Sequence, residues 1–322
     1  MGKARPDSDG RMVSAERRRL FQALRAIELH YLEHKPHKDI AKELRVSSAT
    51  VSRLLEFGRQ QGLVQISVSP PRDIAKAATI QGLLKQFGVR HVDVAGDSQL
   101  HVGEYAAKYL KDNLKSNSVL VLDGGKTIDV MVRALPDHGL PKMRVVPICA
   151  DPTNYNVSAV EHVARLALKC ANVDPVKVPQ FRGAILDSTH DDVRAIARDA
   201  RIVVLGVGPW SPSFTALEFL KFLGHNPTEM MKRHKQVAAV VGYCPITTKC
   251  TYHAIDEVET LMPRALDFAD IRRLAKSDDA DVILLAHSAE KASAVALACQ
   301  ARACNMLIID EGLADELIKQ LS

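Results

Sequence analysis

Residues 119–127 read VLVLDGGKT, an apolar run that leads into two glycines, a lysine and a threonine. An uninterrupted apolar run is typical of a strand buried on both faces of a sheet. Gly124 and Gly125 permit a tight turn, and the residues after them have the pattern of a helix. This unit of strand, turn and helix predicts an α/β fold, and it raises the question of what the turn holds.

The same alternation continues through the chain from residue 91. Apolar runs predict strands, and amphipathic runs between them predict helices. The sequence therefore predicts a parallel, doubly wound sheet, in which ligands bind beyond the C-terminal ends of the strands. The predicted strands are 91–96, 118–125, 143–150, 202–208, 237–244, 281–288 and 305–310, and the predicted helices are 102–114, 127–135, 158–171, 213–223, 289–302 and 312–321.

Gly125, Lys126 and Thr127 also resemble the end of a nucleotide-binding P-loop. That motif requires a glycine five residues before Gly125, where this chain has Leu120 inside the strand. A dinucleotide fingerprint fails as well, because Gly206 and Gly208 are not followed by a third glycine at the required spacing. The pattern thus argues against ATP hydrolysis and against a nicotinamide or flavin cofactor, and we predict no cofactor.

Three turns remain as candidates for binding an anion: 123–127, 206–211 and 287–291. Glycines let a backbone approach a ligand closely, a helix N-terminus directs N–H groups at an anion, and a lysine adds charge. Tight turns between strand and helix would account for any one of them. Together they predict a pocket for a phosphate and a sugar.

The charge of the chain is concentrated at its N-terminus. Residues 1–72 contain 14 Lys and Arg against 8 Asp and Glu, whereas the net charge of all 322 residues is +5. This asymmetry is typical of a small nucleic-acid-binding module joined to a neutral domain. No apolar stretch is long enough for a membrane helix, and the polar N-terminus lacks the apolar core of a signal peptide, so we expect a cytoplasmic protein.

The N-terminal module has the spacing of a helix-turn-helix. A helix is predicted over 14–34, with Ser14 as its N-cap and an apolar stripe of Leu20, Leu24, Ile27 and Tyr31. Ile40, Ala41 and Leu44 form the inner face of a second helix. Arg45 occupies the left-handed turn, Ser47 caps a third helix, and Val51, Leu54 and Leu55 face inward. The run LVQISV after Gly62 predicts the wing of a winged helix.

The start of the third helix would face the bases of DNA. Short hydroxyls and alanine allow close approach to the groove, and Arg53 can donate two hydrogen bonds to guanine. Lysines and arginine nearby can bind phosphate. The predicted DNA-binding residues are Lys38, Lys42, Ser48, Ala49, Thr50, Ser52, Arg53 and Arg59.

None of the six cysteines forms a CxxC pair, so they are interpreted as buried thiols. Cys244, Cys250 and His253 do not have the spacing of a zinc site, and no metal is predicted. The module boundaries are predicted at 14–70 for the winged helix-turn-helix, 71–90 for a linker or oligomerisation helix, and 91–322 for the effector domain.

The order of these motifs resembles the SorC family of bacterial sugar-sensing regulators, the central glycolytic gene regulator type. The resemblance rests on DIAKELRVSSATVSRLL, FGVRHVDV, VLVLDGGKT, RVVPICA, VVLGVGP and EKASAVALACQARACNMLIIDEGLADEL, and it covers residues 20–322. It implies a sheet similar to those of ribose-5-phosphate isomerase and glucosamine-6-phosphate deaminase. It also implies a phosphorylated sugar or polyol effector, a dimer or tetramer, and no catalysis. The residues expected to bind the effector are Gly124, Gly125, Lys126, Thr127, Asp151, Gly206, Gly208 and Lys291.

The chain departs from the family pattern at three places. His287-Ser288 and Ala150-Asp151 stand where glycine pairs are common, and PITTKCTYHAI at 245–255 stands where an Asp-x-x-Gly turn is common. We expect a regulator, acting as a repressor, that its effector releases from double-stranded operator DNA. An alternative is an isomerase or deaminase fused to a DNA-binding head, with Asp123, Asp151 or His287 as base. A protein-interaction module that does not bind DNA is the third class.

Overall fold

The computed structural model describes residues 8–64, 74–149, 157–170, 172–176, 189–211, 221 and 224–322. The chain divides into two compact units, Met1–Val68 and Ser69–Ser322, and each is described by itself. Most of the predicted wing, most of the predicted helix at 213–223 and all of Asp151 lie outside the described residues. Within the described ranges, no helix is long and apolar enough to cross a membrane.

The first unit contains three helices around a small apolar core. Helix α1 spans Ser8–Ile27 and continues as a π-helical turn over Glu28–Leu32, α2 spans His37–Leu44, and α3 spans Ser48–Gln60. The inward positions predicted on α2 and α3 are confirmed, because Ile40, Ala41, Val51, Leu54 and Leu55 are all buried. Arg45 ends α2 with a φ of +54°, so the predicted left-handed turn is also confirmed.

The predicted start of the first helix and part of its apolar face are wrong. The helix begins at Ser8, which places Ser14 inside it rather than at its cap. Leu24 is exposed, and the small Ala23 and Ala26 are fully buried instead. Gly58 of α3 explains the difference, since a Cβ at Gly58 would lie 2.3 Å from the Ile27 side chain and in van der Waals contact with Ala23, at 3.6 Å from its Cβ. Small residues let the two helices approach closely, and a stripe of large apolar residues does not predict such a contact.

The described residues of the second unit form a sheet of nine strands. Seven strands form a parallel layer in the order β1-β9-β8-β5-β2-β3-β4, as expected for a doubly wound fold. The strands are β1 His91–Val94, β2 Ser118–Leu122, β3 Met143–Pro147, β4 Val173–Pro175, β5 Ile202–Pro209, β6 Val237–Val241, β7 Cys244–Thr247, β8 Asp281–Ala286 and β9 Met306–Ile309.

Helices cover both faces of this sheet, and their apolar sides join the strands in two core clusters. Ile80 and Leu84 of the first helix in this unit are fully buried in one of these clusters. Part of the segment assigned to a linker therefore packs within the second unit. The helices are α4 Ile74–Leu84, α5 Gln99–Asn113, α6 Lys126–Ala134, α7 Ala159–Lys169, α8 Thr189–Arg198, α9 Pro227–Arg233, α10 Asp256–Leu261, α11 Phe268–Lys276, α12 Ala292–Gln300 and α13 Glu311–Leu321.

The predicted strand at 237–244 is not a strand of the parallel layer. Residues 237–247 form an antiparallel hairpin, β6 and β7, and β6 pairs antiparallel with the end of β5 from Val207 to Pro209. The chain reverses at Gly242 and Tyr243, where φ is +54° and +61°. Positive φ at both central residues is the conformation of a type I′ hairpin turn, which Asn-Gly usually signals in a sequence. Gly-Tyr does not give that signal.

Candidate DNA-binding face and effector site

The N-terminus of α3 forms the candidate DNA-binding face of the first unit. The Ser47 hydroxyl accepts a hydrogen bond from the Thr50 N–H at 3.1 Å, which caps the helix as predicted. Ser48, Ala49, Ser52 and Arg53 are exposed, as a recognition helix requires. Thr50 is half-buried, and its hydroxyl lies 2.8 Å from that of Ser47, so its first role is to hold the cap.

Three further cations are exposed on α2 and α3: Lys38, Lys42 and Arg59. Lys42 lies 3.9 Å from Asp39, and Arg59 lies 3.6 Å from Glu56. Exposed pairs of this length contribute about 0–1 kcal/mol. A phosphate group could therefore replace either carboxylate at low cost.

In the second unit, Asp123 organises the turn after β2. One carboxylate oxygen accepts the Gly124 N–H at 2.7 Å, and the other accepts the Gly206 N–H of β5 at 2.8 Å. The side chain is buried, so these charge-assisted hydrogen bonds fix the ends of two neighbouring strands against each other. The sequence indicated Asp123 as the first residue of a candidate anion-binding turn and as a possible catalytic base, and gave no sign of this role in joining two strands.

Gly125 caps helix α6 with a φ of +119°, a conformation that favours glycine. Its N–H donates to the carbonyl of Val157 at 2.7 Å, and Lys126 begins the helix with its side chain exposed. The Thr127 hydroxyl is buried and accepts a hydrogen bond from Gln99 at 3.1 Å. The predicted opening of a helix at this turn is confirmed, and the lysine stands at the positive end of the helix dipole.

Lys291 follows β8 in a one-turn 3₁₀-helix, Ala289–Lys291, that leads into α12. Burial lowers the pKa of Lys291, and the nearby Lys126 ammonium lowers it further, whereas Asp310 opposes both effects. Lys126 and Lys291 come from turns that are 165 residues apart, and the charge of Lys126 still acts on Lys291. An anion bound beside Lys291 would offset that unfavourable charge.

The turn before Lys291 is held by the buried Asp310, which directly follows β9. Its carboxylate accepts the Ser288 N–H at 2.9 Å, and Ser288 has a φ of +90°. Asp310 thus joins β8 to β9 in the way that Asp123 joins β2 to β5. Both carboxylates hold N–H groups at the C-terminal edge of the sheet, and both were absent from the predicted set of binding residues.

Gly206 and Gly208 lie at the same edge, but inside β5 rather than in a turn, so the predicted loop at 206–211 is wrong at its start. β5 continues because its last residues pair with β6. A Cβ at Gly206 would lie 3.3 Å from the Gly124 carbonyl and 3.4 Å from the Asp123 carboxylate, so a larger residue would disturb that contact.

His162 of α7 contacts the backbone of the Asp123 turn. The side chain is fully buried, and Nδ1 lies 3.0 Å from the Asp123 carbonyl, which can only accept. Nδ1 therefore carries a proton. Burial lowers the pKa of His162, which favours the neutral imidazole. A lone histidine on the face of an amphipathic helix gave no sequence signal for this contact.

Comparison with known proteins agrees with this arrangement. Residues 74–319 match the family described as "Putative sugar-binding domain", and residues 17–61 match sigma-70, region 4. The sorbitol operon regulator of Klebsiella pneumoniae is 27% identical over 205 residues, which cover 58% of this chain and 64% of that protein. The deoxyribonucleoside regulator of Bacillus subtilis is 24% identical over 318 residues, which cover 93% of this chain and 97% of that protein.

A sorbitol operon regulator is also similar to this chain in its solved structure. The full-length sorbitol operon regulator SorC from Klebsiella pneumoniae superposes with a TM-score of 0.69 at 19% identity, over 97% of this chain and 100% of that one. A helix-turn-helix joined to a sugar-binding α/β domain defines a DNA-binding transcriptional regulator of sugar metabolism. The chain belongs to the SorC family of sugar-sensing regulators.

Proposed function

We propose that the chain is a repressor of carbohydrate genes whose effector is a phosphorylated sugar or polyol. The observation that carries this proposal is the N-terminus of α6, which is capped by Gly125 and begins with the exposed Lys126. A glycine-capped helix N-terminus with a lysine at its first position suits a phosphate, and Lys291, whose pKa the Lys126 charge lowers, adds a second positive charge. Gly124, Gly125, Thr127, Gly206 and Gly208 would line the remainder of the site, and Asp151 stays a predicted contact.

A thermal-shift screen against sugar and polyol phosphates tests the effector. A ligand at 100 times its Kd stabilises the folded state by about 2.7 kcal/mol, which raises the melting temperature. Lys126→Ala should abolish this shift. Lys115→Ala, at the opposite end of the sheet before β2, removes the same charge and should retain it. Loss of the shift in both variants, or in neither, would show that the pocket is assigned wrongly.

We propose that α3 docks in the major groove of operator DNA, with Arg53 at the bases and Lys38, Lys42 and Arg59 at phosphates. Arg53→Ala should weaken operator binding by about 1–3 kcal/mol and relax its sequence preference. Lys42→Ala should weaken binding to all sequences similarly and reduce the salt dependence. The DNA-binding proposal fails if Arg53→Ala leaves both affinity and salt dependence unchanged.

We further propose that the second unit senses its ligand rather than converting it. The similar proteins are named as regulators, and both oxygens of Asp123 already accept backbone N–H groups, which leaves it poorly suited as a base. Assays with ribose 5-phosphate and glucosamine 6-phosphate should show no turnover above background. A dimer or tetramer acting in the cytoplasm would suit an operator with repeated half-sites, and sedimentation would give the number of subunits.

A further inference from the structure

The tip of the β6–β7 hairpin lies against the candidate effector site. The Gly242 N–H donates to the Gly206 carbonyl at 3.3 Å. A Cβ added to Gly124 would come within 2.8 Å of the Tyr243 hydroxyl and 3.1 Å of the Val157 carbonyl. Gly124 therefore has to be glycine in part because the phenol occupies the space beside it.

Tyr243 holds this position in an unfavourable backbone conformation. Its φ of +61° is rare for a bulky residue and costs about 1–2 kcal/mol. The side chain is only 5% exposed, so the phenol is packed in place rather than free to rotate away. Strain of this kind persists only where the surrounding structure imposes it, and it is concentrated at functional sites.

A buried arginine binds the Tyr243 backbone. Arg264 is 7% exposed and donates to the Tyr243 carbonyl at 3.1 Å. Its other terminal nitrogen donates to both oxygens of Glu259, at 2.8 and 2.6 Å, and lies 2.8 Å from the Tyr252 hydroxyl. Paired charges of this geometry fix the guanidinium, and the guanidinium fixes the hairpin tip.

We propose that Tyr243 is a positioning residue for the effector site: locked by Arg264, it presses its hydroxyl against Gly124 and thereby sets the geometry of the 123–127 turn that receives the phosphate. This inference rests on the proposed function for its ligand. The hydroxyl acts through the Gly124 backbone, and through it on the direction of the Lys126 N–H group at the start of α6.

Hydrogen exchange in the ligand-free protein tests the positioning directly. Tyr243→Phe removes one oxygen and should speed exchange of the amides at 124–127 by at least about tenfold. Tyr109→Phe is the matched control. Tyr109 is a partly buried tyrosine at the opposite end of the sheet. Its hydroxyl donates a hydrogen bond to Asp281 at 2.9 Å. It should leave these amides unchanged. Unchanged exchange in Tyr243→Phe would overturn the proposal.

Ligand binding supplies the second measurement, with inorganic phosphate and sorbitol 6-phosphate as probes. Tyr243→Phe should raise the Kd of a probe that binds the wild type by about tenfold, while operator affinity without effector and the melting temperature stay near the wild-type values. A wild-type Kd in Tyr243→Phe would refute the inference and leave the proposed function standing. If the wild type binds no phosphorylated probe but exchange at 124–127 still rises in Tyr243→Phe, the effector assignment is wrong and the positioning role holds.

Gly124→Ala checks that the hydroxyl and the turn act together. The added methyl group meets the Tyr243 hydroxyl, so the single variant should perturb exchange at 124–127. In the Tyr243→Phe background that contact is gone, and the same methyl group should cost less than it does in the wild type. Additive effects of the two substitutions would contradict the contact.

Discussion

Ser288, beside the candidate effector site, has a backbone conformation that a serine disfavours. A φ of +90° is a conformation that residues with a Cβ rarely adopt, and the hydrogen bond from its N–H to Asp310 holds it there. The φ of Ser288 is one that glycine adopts without steric cost, so the serine is held there at a cost in stability.

We expect Ser288→Gly to raise the free energy of unfolding by about 1 kcal/mol, because relief of strain outweighs the greater entropy of glycine in the unfolded chain. Ser288→Ala retains the Cβ and should bring no gain, which separates strain from loss of the hydroxyl. Chemical denaturation of the three proteins gives the comparison. A Ser288→Gly variant that is less stable than the wild type would show that the turn is not strained.

At the scale of elements, α6 carries the effector turn and α5 packs closely against it. A Cβ at Gly103 of α5 would lie 2.4 Å and 2.7 Å from atoms of the Val130 side chain, and 3.0 Å from the Met131 backbone nitrogen. No rearrangement of a side-chain tip could relieve all of these contacts. The position of α6, and with it the direction of its N-terminal N–H groups, depends on this glycine.

Gly103→Ala should therefore destabilise the second unit by about 1–3 kcal/mol, since overpacking outweighs the better helix propensity of alanine. Gly82→Ala is the control, because Gly82 lies exposed in α4 and a Cβ there meets nothing within 4 Å. That substitution should be neutral or stabilising by up to about 1 kcal/mol. Opposite signs in thermal unfolding are expected, and equal effects would refute the packing argument.

Sequence patterns predicted the elements whose signals are local. The parallel strands are continuous apolar runs, Ser47 is a favourable cap, and the left-handed Arg45 lies at a fixed spacing in its motif. The β6–β7 hairpin was not predicted, because Gly242-Tyr243 is not a typical hairpin-turn sequence and adopts this turn under tertiary constraint. The structural roles of Asp123, Asp310 and Tyr243 were not predicted for a related reason. Each contacts a partner that is distant in sequence, and residue spacing does not reveal such contacts.

At the scale of the whole molecule, regulation requires that the effector site and the DNA-binding face influence one another. The two sites belong to different compact units, and each unit has its own apolar core. Such a pair can be coupled only if the effector and the operator favour different states of the whole protein. The free energy of that coupling can be measured in two ways: from the effect of the effector on operator affinity, or from the effect of operator DNA on effector affinity.

We expect the coupling to be reciprocal. If a saturating effector weakens operator binding by a given factor, saturating operator DNA must weaken effector binding by the same factor, typically about 5–150-fold. The four dissociation constants can be measured by fluorescence anisotropy for a selected operator fragment and by calorimetry for the effector, at one fixed salt concentration. Lys126→Ala should remove the effect of the effector on operator affinity while leaving operator affinity itself unchanged. Arg53→Ala should do the converse, weakening operator binding without altering the effector Kd of the DNA-free protein. Equal operator affinity with and without a bound effector would mean that the second unit binds its ligand without regulating the first.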